Sequence, residues 1–289
     1  ADVTSELIEE GMEPTPHTLK ACLRGQDRGR ATRLQYLGNC PTEFLTQCME
    51  KLGLNSQQVL PAPISTDLKG LWSVVGLGEE NPQKDELQYP KVNAYLPEPF
   101  REPETLFDAL KERDYLLHHP YDSFESFLVW LHQACEDPDT QSIELTIYRL
   151  GSLSPIVSEL KKAAKTKRVR ILIELRARFD EMNNLTIAEE LNRAGVEVGF
   201  GFGKLKLHAK IAVITRREGS ELRYYTHLST GNYNAQTAKI YTDLAILTAD
   251  EDIGKDAKKF IDAVAKGEMP QGLNRLVSAP TQLHRRLLS

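Results

Sequence analysis

Residues 204–210 read Lys204-Leu205-Lys206-Leu207-His208-Ala209-Lys210. Polar and apolar residues alternate throughout, as in a β-strand whose successive side chains point to opposite faces. The alternation predicts a strand with all four polar side chains on one face, and the apolar run of residues 211–214 continues it. Three cations around one imidazole suit a polyanion, with the histidine as nucleophile or proton carrier. A solvated strand face with a chance histidine is the ordinary alternative.

Composition indicates a globular protein with one or two domains. The chain has 289 residues, of which 40% are hydrophobic and 27% charged. No apolar run approaches the ~20 residues that a membrane-spanning helix needs. The net charge of −5 excludes a global basic field, so we expect no nucleic-acid partner. Four cysteines without a CxxC spacing indicate reduced thiols of the cytosol. The abrupt ends suggest an internal fragment of a longer protein.

The first 104 residues predict a smaller α+β domain. Residues 30–37 alternate like a strand, and Thr42 is the expected N-cap of a helix that Gly53 ends. Residues 78–104 form a proline-rich linker, which interrupts any regular element. The prolines of this linker are Pro82, Pro90, Pro97, Pro99 and Pro103. We therefore place the domain boundary there.

After the linker, strands and helices alternate. Strands are predicted at about 143–148, 169–175, 196–200, 204–214, 222–228 and 241–247. Helices are predicted at about 123–136, 155–164, 184–194 and 252–265. The repeated β-α-β units predict a largely parallel sheet covered by helices. In such a sheet, ligands bind beyond the carboxyl ends of the strands.

Three groups at predicted strand ends suit phosphate. Arg149 and Arg178 each follow a strand, and a guanidinium binds phosphate oxygens in a bidentate way. The turn of residues 229–234 offers hydroxyl and amide groups, among them Asn232. The alternatives are a surface Arg178 paired with an acid and an ordinary turn. The basic stretch of residues 161–170 could also attract a polyanion, or could be a solvated helix end.

His208-Ala209-Lys210 and the turn with Asn232 together resemble one half of a phospholipase D-type site, where an HxK pair and an Asn act through a phosphohistidine. The Asp that this superfamily has five residues after the Lys is Thr215 here. The sequence resembles more closely the polyphosphate kinases of the first class. That family's blocks match, in order, residues 117–124, 145–149, 174–181, 206–210, 230–234 and 241–243.

The resemblance implies a phospholipase D-like catalytic half-domain of α/β class at residues 105–289, preceded by part of a head domain at 1–104. It implies the reaction ATP + polyphosphate(n) ⇌ ADP + polyphosphate(n+1), through a phosphohistidine at His208 beside Lys210. Tyr241, Asn232 and Lys206 would bind the nucleotide and its phosphates. Arg149 and Arg178 match arginines of the Mg²⁺-phosphate site. Because arginine stays protonated, we expect both to hold phosphate oxygens and Mg²⁺ to bridge through ATP.

The resemblance further implies a cytoplasmic, homo-oligomeric enzyme with ATP, ADP and polyphosphate as partners, without a transmembrane segment but able to lie against the inner membrane. The family's second histidine-bearing motif is absent from this sequence, so we expect the isolated chain to be inactive. Two alternatives stay open: a phospholipase D-like nuclease or phosphodiesterase completed by dimerisation, and a non-catalytic polyanion-binding fragment. Thr215 counts against the nuclease.

Overall fold

A computed structural model describes residues 15–26, 30–62, 68–79, 81–83, 86, 89–90, 93–102, 106–150, 154–177, 180–201 and 205–289. These residues form two compact units. Described residues between 23 and 92 make up the smaller unit, and those before 23 and after 92 make up the larger one. No helix in the described part of the chain is both long and apolar enough to cross a bilayer.

The smaller unit pairs two short strands in parallel. Helix α1 (Pro16–Gln26) precedes them in sequence. Strand β1 (Leu34–Leu37), helix α2 (Thr42–Leu52), strand β2 (Val59–Ala62) and helix α3 (Leu71–Glu79) follow. The expected N-cap was wrong by one position, because Pro41 caps α2 and Thr42 is its first residue. Gly53 ends the helix as predicted, in the left-handed conformation that glycine adopts most readily.

The larger unit is a seven-stranded sheet with covering helices, which confirms the predicted α/β class. Its strands are β3 (Tyr115–His119), β4 (Thr140–Ile147), β5 (Arg168–Ile173), β6 (Glu197–Phe200), β7 (Lys210–Glu218), β8 (Glu221–Ser229) and β9 (Asp243–Thr248). Its helices are α4 (Leu106–Glu112), α5 (Glu125–Glu136), α6 (Pro155–Ala163), α7 (Glu181–Arg193), α8 (Glu251–Ala265) and α9 (Leu283–Leu288). The strand order is β3-β9-β8-β7-β4-β5-β6.

The sheet is mixed, so the expectation of a largely parallel sheet was wrong. Only β4, β5 and β6 run parallel, because α6 and α7 carry the chain back between them. The remaining pairings are antiparallel. Strands β7 and β8 are joined by a tight hairpin at Gly219, whose φ of 62° suits glycine. Strand β3 was not among the predicted strands, and it ends directly before Pro120.

Each face of the sheet has its own apolar core. Phe127, Trp130 and Tyr225 belong to the larger core, which α4, α5, α6 and α7 cover. Val213 and Ile261 belong to the smaller core, between the other face and α8. Burial of each such side chain contributes about 1.5–3 kcal/mol. The two cores fix which way each strand residue points, and therefore which groups emerge at the strand ends.

All seven strands have one end at the edge of the sheet where the candidate site lies. The register pairs Ile147 with Ile173, Ile173 with Phe200, and Lys210 with Ser229. The carboxyl ends of β4, β5, β6 and β8 therefore lie beside the amino end of β7. Asp243, at the start of β9, lies at the same edge opposite His119, at the end of β3. We call this the His208 edge, because His208 lies just before the amino end of β7.

A buried carboxylate fastens the segment after α8. Asp256 is fully buried in α8, and its Oδ2 accepts hydrogen bonds from the backbone N–H groups of Asn274, Arg275 and Leu276, at 2.7, 2.7 and 3.0 Å. Hydrogen bonds to a charged group are the stronger kind, at about 1.5–3 kcal/mol each. Asp256 therefore holds this irregular segment against the helix.

We predict that Asp256→Asn loosens residues 274–276. The amide keeps one oxygen acceptor but loses the charge, and it buries an NH2 group that has no acceptor there. Amide hydrogen exchange of residues 274–276 should become faster by about 30-fold, which corresponds to ~2 kcal/mol. The exposed Glu268→Gln serves as control and should leave the exchange unchanged. Unaltered exchange in Asp256→Asn would show that Asp256 does not hold residues 274–276 in place.

Candidate active site

The segment of residues 205–209 leads into β7 but is not part of it. The strand begins at Lys210, so the strand predicted for residues 204–210 was wrong over this segment, and Lys204 lies outside the described residues. The predicted alternation of exposed polar and buried apolar side chains holds only in part. Lys206 and His208 are exposed and Leu207 is buried, but Lys210, which was expected on the polar face, is buried too. The backbone of the segment bonds to side chains instead of a neighbouring strand.

Glu174 is the main support of this segment. It follows β5 and is 2% exposed. Its Oε2 accepts the backbone N–H of Leu207, and its Oε1 accepts the backbone N–H of Arg176 at 2.7 Å. The Arg176 guanidinium in turn donates to the carbonyl of Leu205. A carboxylate and a guanidinium thus replace the missing strand partner on this side.

Thr146, near the end of β4, completes the support. Its hydroxyl donates to the carbonyl of Ala209 at 2.6 Å and accepts the backbone N–H of Ile211 at 3.2 Å. The hydroxyl therefore bridges the two residues on either side of Lys210. Regular pairing of β4 with β7 starts only at Ala212, opposite Leu145. This bridge sets where the segment stops and the strand begins.

His208 projects from the supported segment next to Lys210. The Lys210 ammonium lies 3.0 Å from His208 Nε2 and donates to the His208 carbonyl at 2.7 Å. Partial burial lowers the pKa of His208 from 6.5, and Lys210, Lys206 and Arg149 lower it further, against an opposing effect of Glu174. The imidazole is therefore neutral at pH 7. Because an ammonium can only donate, Nε2 is the unprotonated nitrogen when the two groups bond.

Lys210 is a buried cation with a shifted pKa. The residue is 6% exposed, and this burial lowers the pKa of its ammonium group to about 8. The positive charge of Arg149 also lowers this pKa. Asp243 opposes this and raises the pKa. Lys210 is thus mostly protonated at neutral pH, and it becomes neutral as the pH rises past about 8.

Tyr148 was not predicted as a site residue. It stands directly after β4, and its ring meets the His208 imidazole edge to face, with centroids 4.8 Å apart and planes at 83°. The cationic groups of Arg149, Lys206 and Lys210 lie 5.5, 5.7 and 5.1 Å from the ring centroid. The signals in the sequence were its position at a strand end, immediately before Arg149, and its place in the block of residues 145–149 that resembles the polyphosphate kinases.

Arg149 also belongs to this cluster, whereas Arg178 cannot be placed. The Nε of Arg149 lies 3.0 Å from Asp180 Oδ2, just before α7. This ion pair is partly exposed, and it orients the guanidinium at the end of β4. Arg178 lies outside the described residues. The cluster of Tyr148, Arg149, Lys206, His208 and Lys210 is called the His208 cluster below.

The turn after β8 is built tightly around Asp243. Thr230 Oγ1 donates to Asp243 Oδ1 at 2.7 Å. A Cβ on Gly231 would lie 2.6 Å from Asp243 Oδ2, so only glycine fits there. Asn232 follows, half-buried, and its Oδ1 has no hydrogen-bond partner among the described residues. This turn comes next to the His208 cluster because Ser229 pairs with Lys210.

Tyr241 is not part of the His208 cluster. It precedes β9, two strands away from β7, and its side chain is exposed. Its backbone N–H donates to the Thr237 carbonyl, at the end of a short 3-10 turn. The fold therefore brings together His208, Lys210, Lys206 and Arg149. Asn232 lies in the turn after the neighbouring strand, and Tyr241 lies farther along the same edge.

The basic stretch of residues 161–170 does not serve this site. It leads into the amino end of β5, at the opposite edge of the sheet. Four of its six cations form ion pairs, at 2.6–2.9 Å, that link Lys161 to Glu190, Lys162 to Glu159, Arg168 to Glu197 and Arg170 to Asp262. The alternative of a solvated helix end fits this stretch, because helix α6 ends within it at Ala163.

The described residues of the His208 cluster offer no protein cage for a metal ion. Among the described residues, the one trio of metal-type side chains within reach of a common ion is His132, Glu136 and Glu159, on α5 and α6. At the His208 edge the described groups around His208 are mainly cations, which repel a divalent ion. Magnesium would therefore fit there only together with phosphate oxygens that serve as its ligands.

We predict that Glu174→Gln disorders the segment of residues 205–209. The amide loses the charge and must present its NH2 group towards one of the backbone N–H donors that Glu174 now satisfies. Hydrogen exchange at the Leu207 amide should become faster by about 10-fold or more. As control, Glu189→Gln removes an exposed carboxylate on α7 and should leave this amide as it is. Equal protection in both variants would contradict the role given to Glu174.

Comparison with known proteins agrees with this geometry. Residues 105–270 match the family model of polyphosphate kinase C-terminal domain 1. A polyphosphate kinase of Pseudomonas aeruginosa is 38% identical over 96% of this chain and 40% of its own length. One of Helicobacter pylori is 39% identical over 99% of this chain and 43% of its own length.

The fold agrees as well. The crystal structure of polyphosphate kinase from Porphyromonas gingivalis superposes with a TM-score of 0.73 and 28% identity, over 90% of this chain and 39% of that one. The chain thus spans about 40% of the length of the relatives that it matches. With a family model that covers more than half of its residues, the chain belongs to the polyphosphate kinase family.

Proposed function

We propose that this chain carries one half of the site of a polyphosphate kinase, which transfers the terminal phosphate of ATP reversibly to inorganic polyphosphate through a phosphohistidine at His208. The carrying observation is the neutral imidazole of His208 in contact with Lys210 inside a group of cations. A neutral imidazole can accept a phosphoryl group directly. Phosphoryl transfer otherwise requires positioning and neutralisation of the charged oxygens.

The transfer needs one nucleophilic nitrogen and several cations. The lone pair of His208 Nε2 forms the bond to phosphorus while the bond to the leaving oxygen of ADP breaks and its electron pair stays on ADP. Lys210, which bonds to Nε2 in this structure, would turn to an oxygen of the transferred group. In the second half of the reaction a terminal oxygen of polyphosphate attacks the same phosphorus, and the electron pair of the P–N bond returns to Nε2.

The neighbouring residues would bind the rest of the substrates. Lys206 and Arg149 would bind phosphate oxygens, with Arg149 oriented by Asp180. Arg178 would join them, and Asn232 would contribute its side-chain amide from the next strand. Tyr241, farther along the edge, would contact the nucleotide. Magnesium would enter as part of the ATP substrate and would supply positive charge to its phosphates.

The setting of the enzyme follows from the family. We propose residues 1–104 as part of the head domain and 105–289 as the first catalytic half-domain, with the second histidine motif supplied from outside these residues. A cytoplasmic, homo-oligomeric enzyme with peripheral contact to the inner membrane is the setting we propose. The nuclease alternative gains no support, because Thr215, in place of the expected Asp, is buried within β7.

We predict that His208→Ala abolishes phosphoenzyme formation and polymer synthesis in the full-length protein. No other described group of the His208 cluster can replace the imidazole, since lysine and arginine are mostly protonated at pH 7 and an unactivated tyrosine hydroxyl is a weak nucleophile. After incubation with terminally labelled ATP, the unchanged protein should carry acid-labile, base-stable phosphate and the variant none. His132→Ala, which removes an exposed histidine on α5, is the matched control. Normal synthesis by His208→Ala would refute the proposal.

We predict that the isolated chain binds polyphosphate and that the affinity falls as pH rises through about 8. Lys210 is protonated below this pH and becomes neutral above it, so one phosphate contact loses its charge. Between pH 7 and pH 9 the dissociation constant should rise by about 3- to 10-fold. Binding should also weaken with salt, because ions screen charges over ~8 Å at physiological ionic strength.

Lys210→Arg separates this effect from a general loss of binding. Arginine stays protonated throughout this range, so the variant should bind with little pH dependence. If the Arg variant showed the same fall as the unchanged chain, another group would be titrating. The chain should cleave no phosphodiester. Cleavage that His208→Ala removes would favour the dimeric nuclease over the kinase.

A further inference from the structure

Tyr148 holds the His208 cluster together without a charge of its own. Its ring contacts all four other members, namely Arg149, Lys206, His208 and Lys210. The three cations lie 5.1–5.7 Å from the ring centroid, inside the ~6 Å range of a cation–π interaction. The half-buried position at the end of β4 fixes the ring.

Like charges at such close range repel one another, so something must attract them before substrate arrives. Asp180 does this for Arg149, and Asp243 faces Lys210. For Lys206, the ring of Tyr148 is the attraction that the structure shows. A carboxylate in the place of Tyr148 would attract the same cations but would also repel phosphate. An aromatic face attracts cations through its quadrupole and adds no negative charge that would compete with a polyanion.

The ring also restricts the orientation of the imidazole. The edge-to-face contact with His208 limits rotation about the imidazole's side-chain bonds. The hydrogen bond from Lys210 selects Nε2 as the nitrogen that carries no proton. A nucleophile that is held near its attack geometry reacts faster than one that must find it. The segment that carries His208 is held on its other side by Glu174 and Thr146.

We infer that Tyr148 is a positioning residue for phosphoryl transfer, whose aromatic face keeps the Arg149, Lys206 and Lys210 cations beside the His208 imidazole and orients that imidazole. The inference rests on the proposed function, since it assigns to the ring a part in phosphorylation of His208. It gives no role to the phenolic hydroxyl, because the contacts run to the ring.

Phosphorylation of this chain by phosphoramidate tests the inference. In that reaction the lone pair of an imidazole nitrogen attacks phosphorus, and ammonia leaves with the electron pair of its P–N bond. Mass spectrometry of the peptide that contains His208 measures the rate at this residue alone, and no second half-site is needed. We expect Tyr148→Leu to slow it by about 10-fold or more, and Tyr148→Phe to stay within about 2-fold of the unchanged chain.

Tyr121→Leu is the matched control. Tyr121 is an exposed tyrosine that contacts another histidine, His118, with ring centroids 5.0 Å apart. This variant should phosphorylate His208 at the unchanged rate. If Tyr148→Phe were as slow as Tyr148→Leu, the hydroxyl would be the active part. If neither variant were slower, the ring would have no positioning role. Either result overturns the inference.

An NMR titration of His208 gives a readout that does not depend on phosphorylation. The charged groups that face this imidazole are Lys206 on its own segment, Lys210 on β7, Arg149 after β4 and Glu174 after β5. Loss of the ring exposes the imidazole and releases the cations, and both changes raise the pKa of His208 towards 6.5. Tyr148→Leu should show this rise and Tyr148→Phe should not; an unchanged titration in Tyr148→Leu contradicts the inference.

The two readouts separate the inference from the proposed function. If phosphoramidate leaves His208 of the unchanged chain unmodified but the titration shifts only in Tyr148→Leu, the ring orders the cluster and the phosphohistidine chemistry is wrong. If the unchanged chain is phosphorylated and Tyr148→Leu alters neither rate nor titration, the chemistry stands and the role of Tyr148 is wrong.

Discussion

The hydrogen bond from the Leu207 backbone to the buried carboxylate of Glu174 is the constraint on which the rest of the site depends. Residues 205–209 have no strand partner, so without this bond and the Thr146 bridge their backbone groups would be left to water. Both supports come from the ends of neighbouring strands, β4 and β5, whose parallel register is fixed by the apolar core beneath them. The core thus determines the position of His208 through two polar side chains.

The same arrangement explains how a group of cations can exist in a protein of net charge −5. Lys210 is buried and its pKa is lowered to about 8, which reduces what its charge costs in the absence of substrate. Asp180 and Asp243 supply negative charge near Arg149 and Lys210, while the ring of Tyr148 contacts His208. These carboxylates balance part of the positive charge, and the exposed side chains of Lys206 and His208 are accessible to an anion.

The sequence predicted the elements of the larger unit better than their assembly. Helix α6, with Ser154 as N-cap and Pro155 in its first turn, and the strands β4 and β5 follow from local pattern. The antiparallel pairings could not be predicted, because the continuous apolar run of β7 is compatible with either direction of its neighbours. His208, Lys210 and Arg149 stood out by residue type and position. Glu174 and Tyr148 did not, because a buried acid and an aromatic residue at a strand end acquire their roles only when distant segments meet.

The ion pairs within residues 161–170 have a consequence for how a long polyanion could approach the chain. Because four of the six cations there are paired and acidic residues are in excess over the chain, attraction for a polyanion is strongest at the His208 edge. In the function proposed above, a flexible polyphosphate would gain little by winding around the molecule and would be held chiefly where one of its ends meets His208. Such a surface favours contact with one end of the polymer over contact along its length, and it leaves the rest of the polymer in the solvent.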